Sequence, residues 1–464
     1  MRSTSVARLL TIAALLMGVS KAAFADGVDD YLKAQMAARH IPGLSVAVVQ
    51  DGHTVKTAAY GVSSVEAKTP ASLDTLYGLG SCTKPLTAVA VLQLQEAGKV
   101  DLDAPVSRYL TDLPAAWSAI TVREMLTHTS GLPNYRQFLD YAKLSDPKYN
   151  QPGSVIALLA GKPLHFTPGT RYEYSNTNYH LLGQLIEKVS GQTYGAYLAS
   201  YQFQTAGMTE THLATLPALL PKQAAGYEWD GKKRLPNTLF LPHFLNYGDD
   251  GLLSTAGDMA KWTTALSTGQ LISVASLKQM ISPATLTDGT PIPYGLGLVI
   301  APYRGQTLVT HSGATPGYSS TLAYFTDSHL SIVIVCNLFA KDGDFFTQSL
   351  ALGVAEQFLP AEAAIPDPDP QTATILRAVS AQIAAGKLDK SLFAPSFQAL
   401  LTPAAVDPAH ALLAPLGPLT SLVLLHRDTN GAATYRALYG PVAVDWLISV
   451  DADHKITGLH PQAE

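Results

Sequence analysis

A hydroxyl and an amine stand three residues apart at Ser81 and Lys84, inside the stretch Leu79-Gly80-Ser81-Cys82-Thr83-Lys84-Pro85-Leu86-Thr87. A serine hydroxyl is a weak nucleophile until a base within hydrogen-bond reach takes its proton. An apolar helical pattern runs from Pro85 to Ala97, with Leu86, Val89, Leu92 and Leu94 on or beside one stripe and Gly98 as its stop. Positions i and i+3 of a helix share a face, so Lys84 is expected beside the Ser81 hydroxyl. A helix start also offers free N–H groups and a partial positive charge to an oxyanion formed on Ser81. Taken alone, the pair reads equally as a helix cap and a solvated lysine. The chain holds a second copy, Ser145-Asp146-Pro147-Lys148, but the turn formers Tyr149-Asn150-Gln151-Pro152-Gly153 follow it, and it reads as a loop.

Two further clusters strengthen the chemical reading. Tyr174-Ser175-Asn176 stands directly before a helical pattern with Leu182, Ile186 and Val189 on one stripe, and His311-Ser312-Gly313 closes a strand pattern. Other schemes lack their residues. The chain has no Gly-x-Ser-x-Gly, none of its thirteen histidines lies in a His-Glu-x-x-His, and no glycine-rich phosphate cradle occurs, so neither a metal nor a nucleotide cofactor is implied. His128 and His180 read as hydrogen-bonded structural residues. Asp451-Ala452-Asp453 reads as a turn, because the glycine and terminal glutamate of a calcium loop are missing.

In this order the three pieces resemble the Ser-x-x-Lys, Ser/Tyr-x-Asn and Lys-Thr-Gly motifs of the serine β-lactamase and penicillin-binding-protein superfamily, on the class C, D-alanyl-D-alanine carboxypeptidase and esterase side. The resemblance covers roughly Asp29 to Leu359 and includes "LTHTSGL" (Leu126 to Leu132), "GLLSTAGDMAKW" (Gly251 to Trp262) and "YGLGL" (Tyr294 to Leu298). It implies that Ser81 is the acyl-accepting nucleophile, Lys84 its proton partner, and Tyr174 a phenol that shares or relays the proton. Asn176 is then a hydrogen-bond donor to the substrate amide or to Lys84, and the N–H groups of Ser81 and Ala314 form the oxyanion hole. Whether Lys84 or Tyr174 is the resting base depends on their shifted pKa values. Gly313 is expected to be small where the chain approaches the substrate.

The third motif departs from the β-lactamases, which carry Lys where this chain has His311. A histidine is largely neutral at pH 7, so capture of a substrate carboxylate should be weaker. The resemblance thus implies a serine hydrolase of esters or D-amino-acid amides and peptides with weak or absent β-lactamase turnover. A β-lactamase, a D-alanyl-D-alanine carboxypeptidase and a penicillin-type sensor acylated once without turnover stay open as alternatives. The partner is a small-molecule or peptide substrate, and no partner protein is implied.

These residues need a framework. The chain has 464 residues, 47% hydrophobic and 14% charged, enough for a large core and more than one domain. Residues 1–25 read as a cleavable signal peptide: Arg2 and Arg8, the apolar run Leu9 to Val19, then Ala23-Phe24-Ala25. That run is shorter than the roughly 20 apolar residues of a membrane span. The expectation is an exported protein, periplasmic or secreted, with no membrane span after leader cleavage. Removing the three leader cations, Arg2, Arg8 and Lys21, takes the net charge from −5 to −8, and nothing basic invites nucleic acid. Cys82 and Cys336 are the only cysteines, too few for a disulfide framework.

After a short amphipathic helix, Val28 to Arg39, "LSVAVVQDG" and "TVKTAAYGVSS" read as strands joined at Asp51-Gly52. Residues 99 to 290 look helical and loop-rich, and strand character returns in "YGLGLVIAP", "QTLVTHSG", "YSSTLAYFTD" and "LSIVIVCN", followed by a helix near Phe346 to Phe358. The expected fold is α/β (α+β) and β-lactamase-like: an antiparallel sheet of N- and C-terminal strands flanked by helices, a mostly helical subdomain, and a small C-terminal α+β domain. The boundaries are a hydrolase domain over 26–359, a Pro- and acid-rich linker over 360–371, and an accessory domain over 372–464. The last carries helical patterns at Thr372 to Lys387 and Lys390 to Leu401 and three strands, "LTSLVLLHR", "ATYRALYG" and "VAVDWLISV".

Overall fold

The computed structural model describes residues 27–140, 144, 146–149, 153–214, 221–236, 247–339, 346–360, 364–428, 431–440 and 442–462; the leader expected over 1–25 and Ser145 lie outside them. Two compact units are present, one from Ile41 to Ala351 and the other from the chain up to His40 together with Leu352 onward.

The first unit is built on a seven-stranded sheet of β1 (Gly43–Gln50), β2 (His53–Ser64), β3 (Val299–Tyr303), β4 (Gln306–Thr315), β5 (Tyr318–Phe325), β6 (Leu330–Cys336) and the edge pair Thr69–Pro70. The order is Thr69–Pro70, β2, β1, β6, β5, β4, β3, antiparallel throughout. β1 meets β6 with Val46 opposite Ile334, so strands from before and after the long insert share one sheet. β1 is buried from Gly43 to Val49 and β6 along its length, which is why both read as unbroken apolar runs. Asp51 and Gly52 both take positive φ, 51° and 76°, the twist that a two-residue hairpin needs.

Three helices matter for the site: α1 (Thr83–Glu96), α2 (Asn176–Ser190) and α3 (Ala256–Ser267), the last packed across β1 and β6. α1 departs from the one-sided stripe expected of it. Every residue from Thr83 to Leu92 is buried, so it is a core helix apolar nearly all round, with Lys84 inside. "YGLGLVIAP" is strand only from Val299; its first half is a loop with Gly297 at φ 84°, where a Cβ would lie 2.9 Å from the Ala88 Cβ. The first unit also holds a small sheet that the sequence did not announce, Tyr77–Gly78, Leu252–Ser254 and His212–Leu213, whose strands are too short for a periodic signal.

The second unit contains a helix over 27–39, α4 (Pro370–Ala384), α5 (Pro403–Leu413), and a four-stranded antiparallel sheet, β7 (Ser421–Arg427), β8 (Ala433–Tyr439), β9 (Val442–Val450) and β10 (Ile456–Gln462). The helix expected over Lys390 to Leu401 is instead a 3₁₀ turn, Lys390–Leu392, and a short helix, Pro395–Gln398, because Pro395 cannot continue the preceding turn. β10 was not expected, since Gly458 and Pro461 break its alternation. Asp451 Oδ1 accepts from the Asp453 and Lys455 N–H groups at 3.0 and 2.8 Å and closes the turn between β9 and β10. Among the described residues no helix is long and apolar enough to cross a membrane.

Candidate active site

Ser81 lies in a 3₁₀ turn, Gly80–Cys82, that runs directly into α1. Lys84 follows one turn later with no exposed surface, and its Nζ lies 2.9 Å from Ser81 Oγ, 2.8 Å from Asn176 Oδ1 and 2.7 Å from the Asp249 carbonyl oxygen. Burial pushes the amine down to about 7, against the opposing pull of Asp249. Near neutrality much of it is therefore a free amine, with two N–H donors and one lone pair. The Asn176 and Asp249 oxygens can only accept, so they take both hydrogens, and the lone pair is left facing the Ser81 hydroxyl.

The Tyr174 motif is held at the start of α2. Ser175 adopts an extended backbone as the N-cap, and its N–H donates to His128 Nδ1 at 3.2 Å. The "LTHTSGL" loop braces the same turn: Ser130 Oγ donates to Asn178 Oδ1 at 2.6 Å, and Tyr179 Oη donates to the Leu126 carbonyl at 2.7 Å. His128 is buried among Tyr174, Tyr179 and Tyr294, at ring separations of 4.3, 5.1 and 4.9 Å, and burial holds it well below the ordinary histidine range. Lys84 Nζ sits 5.0 Å from the Tyr174 ring centre. Burial raises the Tyr174 phenol far above the ordinary tyrosine value, and a hydrogen bond with Ser81 opposes this only in part. Of the two partners expected for Asn176, Lys84 is one from which it accepts a hydrogen bond rather than one to which it donates.

β4 brings in the third motif. His311 is buried; its Nδ1 is 2.8 Å from the Ser312 carbonyl and its Nε2 3.1 Å from Tyr294 Oη. A carbonyl only accepts, so Nδ1 carries the proton and Nε2 accepts from the phenol. Burial, then the nearby Lys84, push this imidazole down to about 3. The motif thus offers no cation at neutral pH. Within the fold Gly313 must be small for a packing reason: a Cβ there would fall 2.0 Å from the Leu79 carbonyl oxygen, 2.6 Å from Ser320 Oγ and 2.9 Å from Cys82 N. The strand needs that space for the serine turn. At Gly80, with φ 53°, a Cβ would meet Ala314 N at 2.6 Å, so the Ala314 amide abuts the residue before Ser81. Cys82 and Cys336 are free and buried.

Sequence reading missed the charged group behind Lys84. Tyr135 Oη donates to Asp249 Oδ2 at 3.0 Å, and Arg136 Nη2 reaches the same oxygen at 3.3 Å as well as Asp250 Oδ2. Arg136 and the acids are more than a hundred residues apart, and the one hint is an Asp-Asp pair in front of the apolar "GLLSTAGDMAKW". Among the described residues no His, Cys, Asp and Glu side chains are grouped to hold a metal ion.

A profile of the Beta-lactamase family matches residues 28–356. Penicillin-binding protein 4* of Bacillus subtilis (strain 168) is 30% identical over 330 residues, 68% of this chain and 72% of that protein. The D-aminopeptidase of Brucella anthropi is also 30% identical over 330 residues, again 68% of this chain, but the match spans only 62% of the relative's length. The structure of a D-amino acid amidase from Ochrobactrum anthropi SV3 superposes with a TM-score of 0.61 at 27% identity, over 72% of this chain and 96% of that one.

Proposed function

The chain belongs to the β-lactamase family and is a serine hydrolase, and from that premise we propose that it forms an acyl-enzyme on Ser81 and cleaves an ester or a D-amino-acid amide or peptide. The observation that carries the proposal is the placement of Lys84 Nζ, 2.9 Å from Ser81 Oγ with two obligate acceptors on its other sides. In the acylation step Ser81 Oγ bonds to the substrate carbonyl carbon while its proton passes to Lys84 Nζ. The amides of Ser81 and Ala314 receive the oxyanion. Collapse of the tetrahedral intermediate breaks the bond to the leaving alcohol or amine, which takes a proton through Tyr174 from Lys84. Tyr174 suits that relay because its raised pKa keeps it protonated at rest. Water then releases the acid and restores Ser81.

Two features disfavour a carboxylate beside the scissile bond. His311 is uncharged, and Arg136 is already committed to Asp249 and Asp250. The D-aminopeptidase and D-amino acid amidase relatives point to the same substrate class. The leader pattern over 1–25 supports export to the periplasm or medium. In the deciding experiment, wild type and Ser81→Ala are assayed on a p-nitrophenyl ester and D-phenylalanine amide, then weighed intact after exposure to a fluorophosphonate and a penicillin. Turnover and the fluorophosphonate adduct should vanish in the variant. Retained hydrolysis would overturn the assignment, and a lasting penicillin adduct without turnover would instead identify a sensor.

A further inference from the structure

The turn over 247–250 is tied to α1 through its backbone. The Gly248 carbonyl accepts from Thr87 Oγ1 at 2.6 Å and the Asp249 carbonyl from Lys84 Nζ at 2.7 Å. Through its side chains the same turn is tied to the loop after "LTHTSGL": Asp249 Oδ2 receives Tyr135 Oη and Arg136 Nη2, and Asp250 Oδ2 receives Arg136. The Asp249 and Asp250 side chains have 0% and 1% exposure, so their charges are poorly screened.

The groups around Lys84 leave a simple charge count. Cys82, in its own turn, is a thiol pushed up to about 12 by burial. Tyr174 and Tyr179, at the start of α2, and Tyr135 beside Asp249 have raised phenols, and His128, His311 and His180, the last 3.9 Å from Asp249 Oδ1 and pushed down to about 3 by burial, are held neutral. The remaining charges are the Arg136 guanidinium and the two carboxylates, which leave one negative charge over. An ammonium at Lys84 neutralises the cluster, while burial of that ammonium opposes it.

We propose that Asp249, Asp250 and Arg136 are positioning residues for the acylation step: the Asp249 carbonyl aims Lys84 at Ser81, and two carboxylates against one guanidinium supply the negative charge that the ammonium form of Lys84 offsets. The inference rests on Ser81 as nucleophile and Lys84 as its base. Its signature is a pair of opposite shifts. Asp249→Asn keeps an acceptor for Tyr135 and Arg136 but removes the charge, so Lys84 should hold its proton less tightly and the acid limb of kcat/KM should move down by about 1 pH unit. Arg136→Gln should move that limb up by about as much, and Arg136→Lys, which restores the charge, should return it. A role in folding alone would lower kcat without moving the limb.

The test follows p-nitrophenyl ester kcat/KM and the rate of fluorophosphonate adduct formation against pH in the full chain, for variants that keep the wild-type circular dichroism spectrum. If Asp249→Asn does not fold, Asp250→Asn carries the same expected direction. Limbs that stay in place, or move the same way for the acid and arginine variants, overturn the inference. An adduct that still forms in Ser81→Ala overturns the underlying reading instead, so the two failures are separable.

Discussion

Replacing Gly313 by alanine tests how tightly the serine turn is seated on β4. The added methyl would lie 2.0 Å from the Leu79 carbonyl oxygen and 2.9 Å from Cys82 N. Optimal carbon contacts are about 3.5–4.0 Å, so turn and strand must part by roughly 1 Å or more. The obstructing atoms are backbone and cannot swing away. The Leu79 carbonyl also accepts from Ser320 Oγ at 2.6 Å and from Cys82 N at 3.2 Å, so its retreat drags the residues flanking Ser81. Overpacking of this kind costs about 1–3 kcal/mol, against a typical domain stability of about 5–15 kcal/mol, so the variant should fold. A displacement of about 1 Å at reacting atoms, or loss of one oxyanion donor, costs about 10²–10³ in rate. The expected result is a kcat lower by about that factor, with KM little changed and Tm lower by only several degrees. Gly98→Ala is the control. It also has positive φ, 68°, but its Cβ meets nothing within 4 Å. It should lose about 1 kcal/mol to backbone strain and keep its kcat. Ester turnover and thermal melting of both variants provide the readout, and an unchanged kcat in Gly313→Ala would refute the reasoning about the turn.

Two further outcomes follow from the same geometry. In the proposed mechanism Lys84 accepts the Ser81 proton as a free amine, and burial holds that amine at about 7, so kcat/KM should rise with pH, tenfold per unit below that value, and level off above it; a limb at alkaline pH, at or above the ordinary tyrosine range, would make Tyr174 the resting base instead. Tyr174→Phe should lower kcat by about 10²–10⁴ while leaving the acid limb in place, because the group that titrates is Lys84; a displaced limb in stopped-flow acylation would contradict this.

The legible parts of the site were those in which spacing alone fixes proximity. Ser81 and Lys84 are one helical turn apart, and any helix through them sets the amine beside the hydroxyl. The sheet was legible because β1 and β6 are buried apolar runs on either side of a helical insert. What escaped were pairings at long range with no period to betray them. Arg136 reaches Asp249 across more than a hundred residues, and the Asp249 backbone, not its side chain, contacts Lys84, so residue type gave no cue. Asn176 accepts from Lys84 where donation to it was one of two expected roles, because only the position of a partner decides whether an amide donates or accepts.

The burial of α1 gives the site its chemistry as well as its place. Had the helix shown the one-sided stripe expected of it, Lys84 could have stood in solvent as an ammonium with a pKa near 10.4, useless as a base at neutral pH. Core burial takes the amine down, and burial alone can carry a lysine to about 5–6, where it would be neutral but a feeble proton acceptor. The acidic turn over 247–250 works against that extreme, and the value of about 7 lies between the two limits. Such an arrangement demands that every hydrogen of the amine have a partner, since an unmade bond in this position costs about 1–3 kcal/mol. The Asn176 side chain and the Asp249 carbonyl meet that demand in the neutral form, and Ser81 Oγ, 2.9 Å away, is the third partner of the ammonium form. The same contacts that make the buried lysine tolerable to the fold therefore point its lone pair at the serine.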